Sequence, residues 1–523
     1  MARSSAARHS DLDVADLSVA PRLGSGRAGP NATAAAAPSR ADEVAYLNGV
    51  AADGTLTGDS YWGDSGKTAF KWGEATLGTG ATIRYFFNPS SGFTEVEKAT
   101  FLKGMAMWSA VADVTFVEAR GRLSANVIYT RGSDGGASTS TLTTNGLGST
   151  PGQPLLQSTL SIDTSVGGFD LSGSLDTFGG YGMSTVIHEL GHLLGLGHGG
   201  NYNGDVDPVT DQHSAYDDRM YSIMSYIFWD TPGRYSDQNP YQGTDWGITE
   251  DGVRRQAPHS VMALDILAIQ QLYGVSTDSP FAGGQTYGFN ANIAGPLAGF
   301  YDFAVNTDPV LTLYNQGTGN TLDLSGYAMR QRVDLHGGAF SDIGGHVNNV
   351  AIADATVIET AIGGSARDRM RASDTASTLS GGDGNDLLQG GRGGDLLEGG
   401  SGLDRVIGGR GTDLLSGGAG ADTFVFRAIG DTSRSAERAD TVTDFTRGDT
   451  IDLSRIDANK SAAGNQAFAF IGRDAFSHTA GELRFELDGG SALVSGDVNG
   501  DGKADFAIWL SDVGAVRAAD FVL

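Results

Sequence analysis

A nonapeptide repeat constrains this chain more than any other feature. The units "GGDGNDLLQ", "GGRGGDLLE", "GGSGLDRVI", "GGRGTDLLS" and "GGAGADTFV" run without a gap from Gly381 to Val425. Each opens on glycines that permit a tight turn, then places one Asp, whose hard oxygens suit calcium, and one apolar residue such as Leu388 or Leu397. A unit this short cannot bury an apolar face alone, so neighbours have to stack, and the repeat predicts a solenoid of short strands with each apolar position facing its core. Two weaker units, "GGSARDRMR" and "ASDTASTLS", carry the phase back to Gly363 and read as a worn first turn. A flexible Gly-rich linker has no reason to keep so strict a phase.

The repeat occupies a small part of 523 residues, a length that exceeds one hydrophobic core and predicts several domains. Asp and Glu total 62 against 35 Lys and Arg, a formal charge of -27. That balance argues for bound cations and against nucleic acid and anionic membrane as partners. The absence of Cys excludes disulfides, thiol catalysis and thiolate metal ligands. "MARSSAARHSDLDVADL" lacks the apolar run of a Sec-type signal, and no window approaches the roughly 18 apolar residues of a membrane span, so a soluble chain is expected.

Residues 1–40, ending in "GSGRAGPNATAAAAPSR", read as a disordered leader or pro-segment. Residues 41–275 read as globular, with strands in "ATIRYFF" and "VTFVEA". A helix in "TEVEKATFLKGMAMWSAV" has Val96, Phe101, Met105 and Trp108 as a packing stripe with no further role. A second helix, "HSVMALDILAIQQLYG", ends on Gly274 as its cap. Residues 276–362 then read as a strand-rich entry, 363–425 as the repeat array and 426–523 as a terminal β region.

The chemistry is concentrated in "HELGHLLGLGH", residues 188 to 198. On a helix, His188 and His192 lie one turn apart on one face, where both imidazoles reach one ion. Gly195 can end the helix in a left-handed conformation and let the chain turn back, so that His198 supplies a third nitrogen. Three nitrogen ligands leave zinc an open position, where bound water has its pKa lowered toward about 7, and Glu189 stands beside it as the base. The other histidines, His213, His259 and His346 among them, have no such context.

The full pattern, His-Glu-x-x-His-x-x-Gly-x-x-His, resembles that of the metzincin metallopeptidases, and "YSIMSY" supplies their Met-turn at Met224 with Tyr226 two residues on. Joined to calcium-type nonapeptides, it is similar to the serralysins over nearly the whole chain. "AMWSAVADVTFVE", "AIQQLYG", "TYGFN" and "FSDIGGHVNNVAIA" match stretches of that family, and "ADFVL" resembles the end of its type I secretion signal.

The resemblance implies an α+β metzincin catalytic domain followed by an all-β parallel β-roll. It implies a secreted, extracellular zinc endopeptidase, made as a zymogen and acting as a monomer on proteins and peptides, with a type I exporter and a proteinaceous inhibitor as further partners. Tyr226 would be a labile fifth zinc ligand that donates to the oxyanion. Calcium would lie between the loops of the roll at Gly382, Gly384, Asp386, Gly391, Gly393, Asp395, Gly400, Gly402, Asp404, Gly409, Gly411, Asp413, Gly418, Gly420 and Asp422. The alternative is a non-catalytic calcium-dependent repeat protein such as an adhesin, which has no use for a Met-turn.

Several places depart from the family pattern. Gly199 stands where Pro usually follows the third His. "WDTPGRYSDQNPYQGTDWGITEDGVRRQAPHS" is longer than the usual loop and reads either as a flank of the substrate cleft or as a surface insertion. At the family's junction calcium site the acidic and Thr ligands are replaced by Gly284, Asn315, Asn320 and Val357, leaving Glu359, so a weak or absent ion is expected there. "DVNGDGKADF", with Asp497, Asn499 and Asp501 spaced as in a calcium loop but Ile508 at the twelfth position, reads equally as a polar turn.

Overall fold

The computed structural model describes residues 37–523 apart from 167–168, 172–177, 179 and 249–255. The expected leader therefore lies outside the described residues up to residue 36, and its last residues are ordered structure. Ser39 caps helix α1 (Arg40–Asn48) in a reciprocal box with Asp42. The Arg40 Nη2 donates to Asp354 Oδ2 at 2.8 Å, tying the first helix to the strand-rich half.

The first half is built on a five-stranded sheet in the order β2–β1–β3–β5–β4, formed by β1 (Ala81–Phe87), β2 (Val114–Glu118), β3 (Val127–Arg131), β4 (Ala137–Ser140) and β5 (Ser158–Ile162). The first four in that order run parallel, and β4 pairs antiparallel to β5 as an edge. Helix α2 (Tyr61–Asp64) precedes the sheet, and α3 (Glu95–Val111), α4 (Tyr181–Leu193), α5 (Pro208–Asp211) and α6 (Ala263–Tyr273) follow along the chain. Helix α3 starts at a Thr94–Glu97 capping box and buries Phe101, Met105 and Trp108. Val96 does not join that stripe and is 52% exposed, because five residues at about 100° each place it roughly 140° away from Phe101. Helix α6 begins at Ala263 rather than at His259, where the Asp265 carboxylate takes the Met262 N–H at 2.8 Å.

Helix α4 is apolar on almost every side and lies in the core. The orphan carbonyls at its carboxyl end each find a donor from another element. Trp72 Nε1 donates to Leu193 O at 2.8 Å, Tyr273 OH to Leu194 O at 2.8 Å and Trp62 Nε1 to Gly195 O at 2.9 Å. Trp108 does more than pack, since its Nε1 donates to Ile187 O at 3.0 Å.

The second half is a parallel β-roll. Two units make one turn, so apolar positions stack 18 residues apart. Leu379, Leu397 and Leu415 form one column, and Met370, Leu388, Val406 and Phe424 form the other. The sheets extend past the repeats at both ends, from Thr286–Gly288 to Phe521–Val522. The described part of the long segment after the Met-turn runs mostly over the surface but is anchored at Trp246. Trp246 is fully buried and donates to Asn348 O at 3.0 Å, and Asp245 bridges to Val347, so the segment cements the two halves together. Among the described residues no helix is long and apolar enough to cross a membrane.

The facing of the roll is testable. Leu397 is fully buried while its neighbour Leu396 is 36% exposed. We expect Leu397→Ala to cost about 2–5 kcal/mol and Leu396→Ala about 0.5 kcal/mol or less, read from denaturant unfolding of the two variants.

Candidate active site

The three histidines of the sequence motif meet. His188 and His192 project from α4, the helix ends at Leu193, and Gly195 at φ +103° reverses the chain so that His198 faces them. The Nε2 atoms of His192 and His198 are 3.0 Å apart and those of His198 and His188 3.3 Å. Each Nδ1 lies against a backbone carbonyl: Ile223 O at 2.9 Å, Leu196 O at 2.9 Å and Tyr202 O at 2.7 Å. A carbonyl only accepts, so each Nδ1 carries the proton and all three Nε2 atoms turn lone pairs toward one point. Burial holds the three imidazoles below their ordinary range, His192 down to about 4, which keeps them neutral. Acceptors that converge in this way without a proton between them fit a cation.

The carbonyls are themselves held. Ile223 N donates to Asp265 Oδ2 at 2.8 Å and Ser222 Oγ to Asp265 Oδ1 at 2.6 Å. Tyr202, whose carbonyl receives His198, donates its hydroxyl to Asp217 Oδ1 at 2.6 Å. Met224 is fully buried, and a Cβ at Gly191 would come within 2.5 Å of its sulfur, so this position of the motif has no room for a side chain. Gly199 has a similar reason: a Cβ there would lie 2.3 Å from Asp217 Oδ1 and 3.1 Å from Glu43 Oε1. A buried pair of carboxylates, one from α1, occupies the space that a proline ring would need.

Glu189 is 5% exposed, and its Oε2 accepts from Thr139 Oγ1 on the β4 edge at 2.9 Å. Burial pushes the carboxyl up to about 7, against the lowering effect of that hydrogen bond. The Tyr226 ring centre is 4.6 Å from that of His198 and 5.5 Å from that of His188. Burial, then the neighbouring Glu189 charge, raise the phenol above its ordinary range, so it stays protonated. A cleft of about 150 Å³ opens over Glu189, His192 and Tyr226 between α2 and β4. Of these supporting groups, Thr139, Asp217 and Asp265 carry no motif, and only the fold brings them to the site.

Comparison with known proteins matches residues 279–523 to the family described as "Peptidase M10 serralysin C terminal". Metalloprotease AprA of Pseudomonas entomophila is 34% identical over 443 residues, spanning 83% of this chain and 80% of that protein. The chain belongs to the serralysin family of zinc metalloendopeptidases. Metallopeptidase AprA of Pseudomonas marginalis is 33% identical over 55% of this chain and 56% of its own. Serralysin of Proteus mirabilis is 32% identical over 59% and 62%.

In this serralysin the repeat aspartates form two ladders along the roll. Oδ1 of Asp386, Asp404 and Asp422 accepts the backbone N–H of Asp368, Asp386 and Asp404, one turn back, at 2.7–2.9 Å. On the other side, Asp395 and Asp413 accept from Ser377 and Asp395. The ladders continue past the array, with Asp413 N donating to Asp440 Oδ1 and Asp422 N to Asp449 Oδ1 across 27 residues. The second oxygens of Asp386, Asp404, Asp413, Asp422 and Asp440 are buried without a partner. Among the turn glycines, Gly382, Gly384, Gly400, Gly402, Gly409, Gly411, Gly418 and Gly420 have positive φ, and Gly391 and Gly393 do not.

The junction residues do not fit a cation. Asn320 Nδ2 donates to Gly317 O and Val357 O, Asn315 Nδ2 donates to Gln285 Oε1, and Glu359 accepts from the N–H groups of Gly319 and Asn320. Amide protons stand where an ion would need oxygens. In the "DVNGDGKADF" loop, both Asp497 oxygens accept backbone N–H groups, as in a closed polar turn.

Asp265 sits behind His188 through Ile223. Asp265→Ala leaves Ser222 and Ile223 unpaired in the core, and we expect a loss of about 2–4 kcal/mol of stability with a 10- to 100-fold weaker hold on zinc. Thermal unfolding and competition with a zinc chelator check the two parts.

Proposed function

We propose that the chain is a secreted endopeptidase in which His188, His192 and His198 hold zinc, Glu189 moves the proton and Tyr226 steadies the oxyanion. The observation that carries this reading is the convergence of three Nε2 lone pairs beside a buried carboxyl and a protonated phenol. When bound, zinc supplies a Lewis acid with an open position for water or a carbonyl oxygen. Glu189, raised toward neutrality, takes the proton of the attacking water and returns it to the departing amine. Thr139 orients that carboxyl through its hydroxyl. Tyr226 donates to the oxygen that becomes negative as the peptide carbon turns tetrahedral, a contact realised in the transition state. Proteins and peptides of the extracellular space are the substrates, and a proteinaceous inhibitor covering the same cleft is a natural partner.

Calcium in the roll is part of the same proposal. Its support is the buried unpartnered oxygen of Asp386, Asp404, Asp413, Asp422 and Asp440 together with the charge of the chain. In a cytosol poor in calcium the ladder carboxylates have no counter-charge and the roll stays open, which suits threading through a type I exporter. Outside, calcium binds the folded state only and stabilises it by mass action.

We expect Glu189→Ala to keep one zinc per chain and to lose about 10²–10⁴-fold in casein hydrolysis, and Tyr226→Phe to lower kcat more than it raises KM. Metal analysis beside casein and peptide kinetics decides; wild-type turnover in Glu189→Ala would sink the catalytic assignment.

The ladder also makes a pH statement. Burial raises Asp386 to about 7, Asp404 and Asp413 to about 6 and Asp440 to about 8, all above the ordinary 3.8 of an unfolded Asp. A raised acid favours the fold when protonated, so the metal-free roll is most stable below about pH 4, loses stability as pH rises from there through the folded values of about 6 to 8, and levels off above them. We expect the melting temperature of the full chain in excess chelator to fall over that window, and millimolar calcium, but not magnesium, to abolish the fall.

A further inference from the structure

The cleft over Glu189 has a chemical asymmetry that catalysis does not use. One wall is the β4 edge and the other is α2 with the residues that follow it, including Lys67. Glu189 and Lys67 are the acidic and the basic residue among those lining the space, where the polar remainder includes Thr139, Thr141 and Asn203. Lys67 is exposed and takes part in none of the ion pairs among the described residues. Asp64, the nearest carboxylate along the chain, is already engaged by the Tyr46 hydroxyl at 2.6 Å.

The backbone that carries Lys67 is fixed. Its N–H donates to Trp62 O, Trp62 Nε1 is bound to Gly195 O, and the Tyr61 ring lies 4.9 Å from that of His198. The base of the Lys67 side chain is therefore held at the cleft wall, with its charge close enough to bear on His192. An extended peptide adding to the free edge of β4 turns alternate side chains toward that wall. A molecule with a formal charge of -27 repels acidic peptides at long range, so an unpaired cation at this point changes which side chain is tolerated.

We propose that Lys67 is a specificity-determining residue that selects an acidic side chain, Glu or Asp, at one substrate position beside the scissile bond. This rests on the endopeptidase reading above. Charge complementarity of this kind sets preference more than overall affinity.

The test starts from a peptide that the wild-type protein is found to release from casein. C-terminally amidated copies carry Glu, Gln or Lys in turn at each position flanking the cleaved bond. With wild type we expect kcat/KM for Glu to exceed that for Gln by about five-fold at one position in low salt, with the ratio falling toward one near 1 M salt. Lys67→Ala should bring the ratio close to one, Lys67→Arg should keep it, and Lys67→Glu should invert it in favour of the Lys peptide. A wild-type ratio of one, or an acid preference that survives Lys67→Ala and so belongs to the metal, overturns the inference while the catalytic reading stands. Failure to cleave casein or any of the peptides overturns both.

Discussion

Three hydrogen bonds from imidazole Nδ1 to backbone carbonyls set the rest of the catalytic half. They fix the tautomer, and the tautomer turns three lone pairs inward at separations of 3.0–3.3 Å between Nε2 atoms. Without a cation that arrangement is repulsive, and with one it is a ligand set. The surrounding structure serves to hold the three carbonyls still. Asp265 fixes Ile223, Asp217 fixes Tyr202, and the indole and phenol donors of Trp62, Trp72 and Tyr273 bind the carbonyls where α4 ends and the chain turns toward Leu196. The buried Asp265 and Asp217 carboxyls are costly groups, both pushed up to about 6 by desolvation, and they are offset by the hydrogen bonds they accept around the site.

The roll faces a related electrostatic problem with a different solution. Each ladder Asp uses one oxygen to satisfy a backbone N–H of the preceding turn, and in Asp386, Asp404, Asp413, Asp422 and Asp440 the other oxygen is left buried without a partner. Backbone pairing alone cannot relieve that burden, so the fold of this half is coupled to whatever neutralises it. The boundary between the halves takes the opposite course. There amide groups of Asn315 and Asn320 occupy the space and satisfy the oxygens around them, while Trp246 and the Arg40–Asp354 pair add contacts that need no ion.

Much of this was legible in the sequence where one local period carries the information. The spacing of His188 and His192, the glycine that ends the helix, and the strict phase from Gly381 to Val425 each dictate geometry over one or two turns. The local period fails where it is stretched or tertiary structure intervenes. Val96 stands five helical residues from Phe101 and so turns away from the stripe, and the indole N–H of Trp108 finds a carbonyl that no pattern announces. The repeat reading stopped at Val425 because the paired glycines stop there, yet Asp431, Asp440 and Asp449 keep the nine-residue phase. Asp phase alone would have extended the ladder. Thr139 lies 50 residues from Glu189, and Asp265 and Lys67 lie farther still along the chain from His188 and His192, so no local signal could place them.

The central claim is that three neutral imidazoles, pre-oriented by backbone carbonyls, form the metal site. X-ray absorption at the zinc edge of the purified protein tests it most directly. The account predicts one zinc per chain with three imidazole nitrogens at about 2.0–2.1 Å and the remaining positions filled by oxygen. Zinc absent from the purified protein, or bound by fewer than three imidazoles, would contradict it.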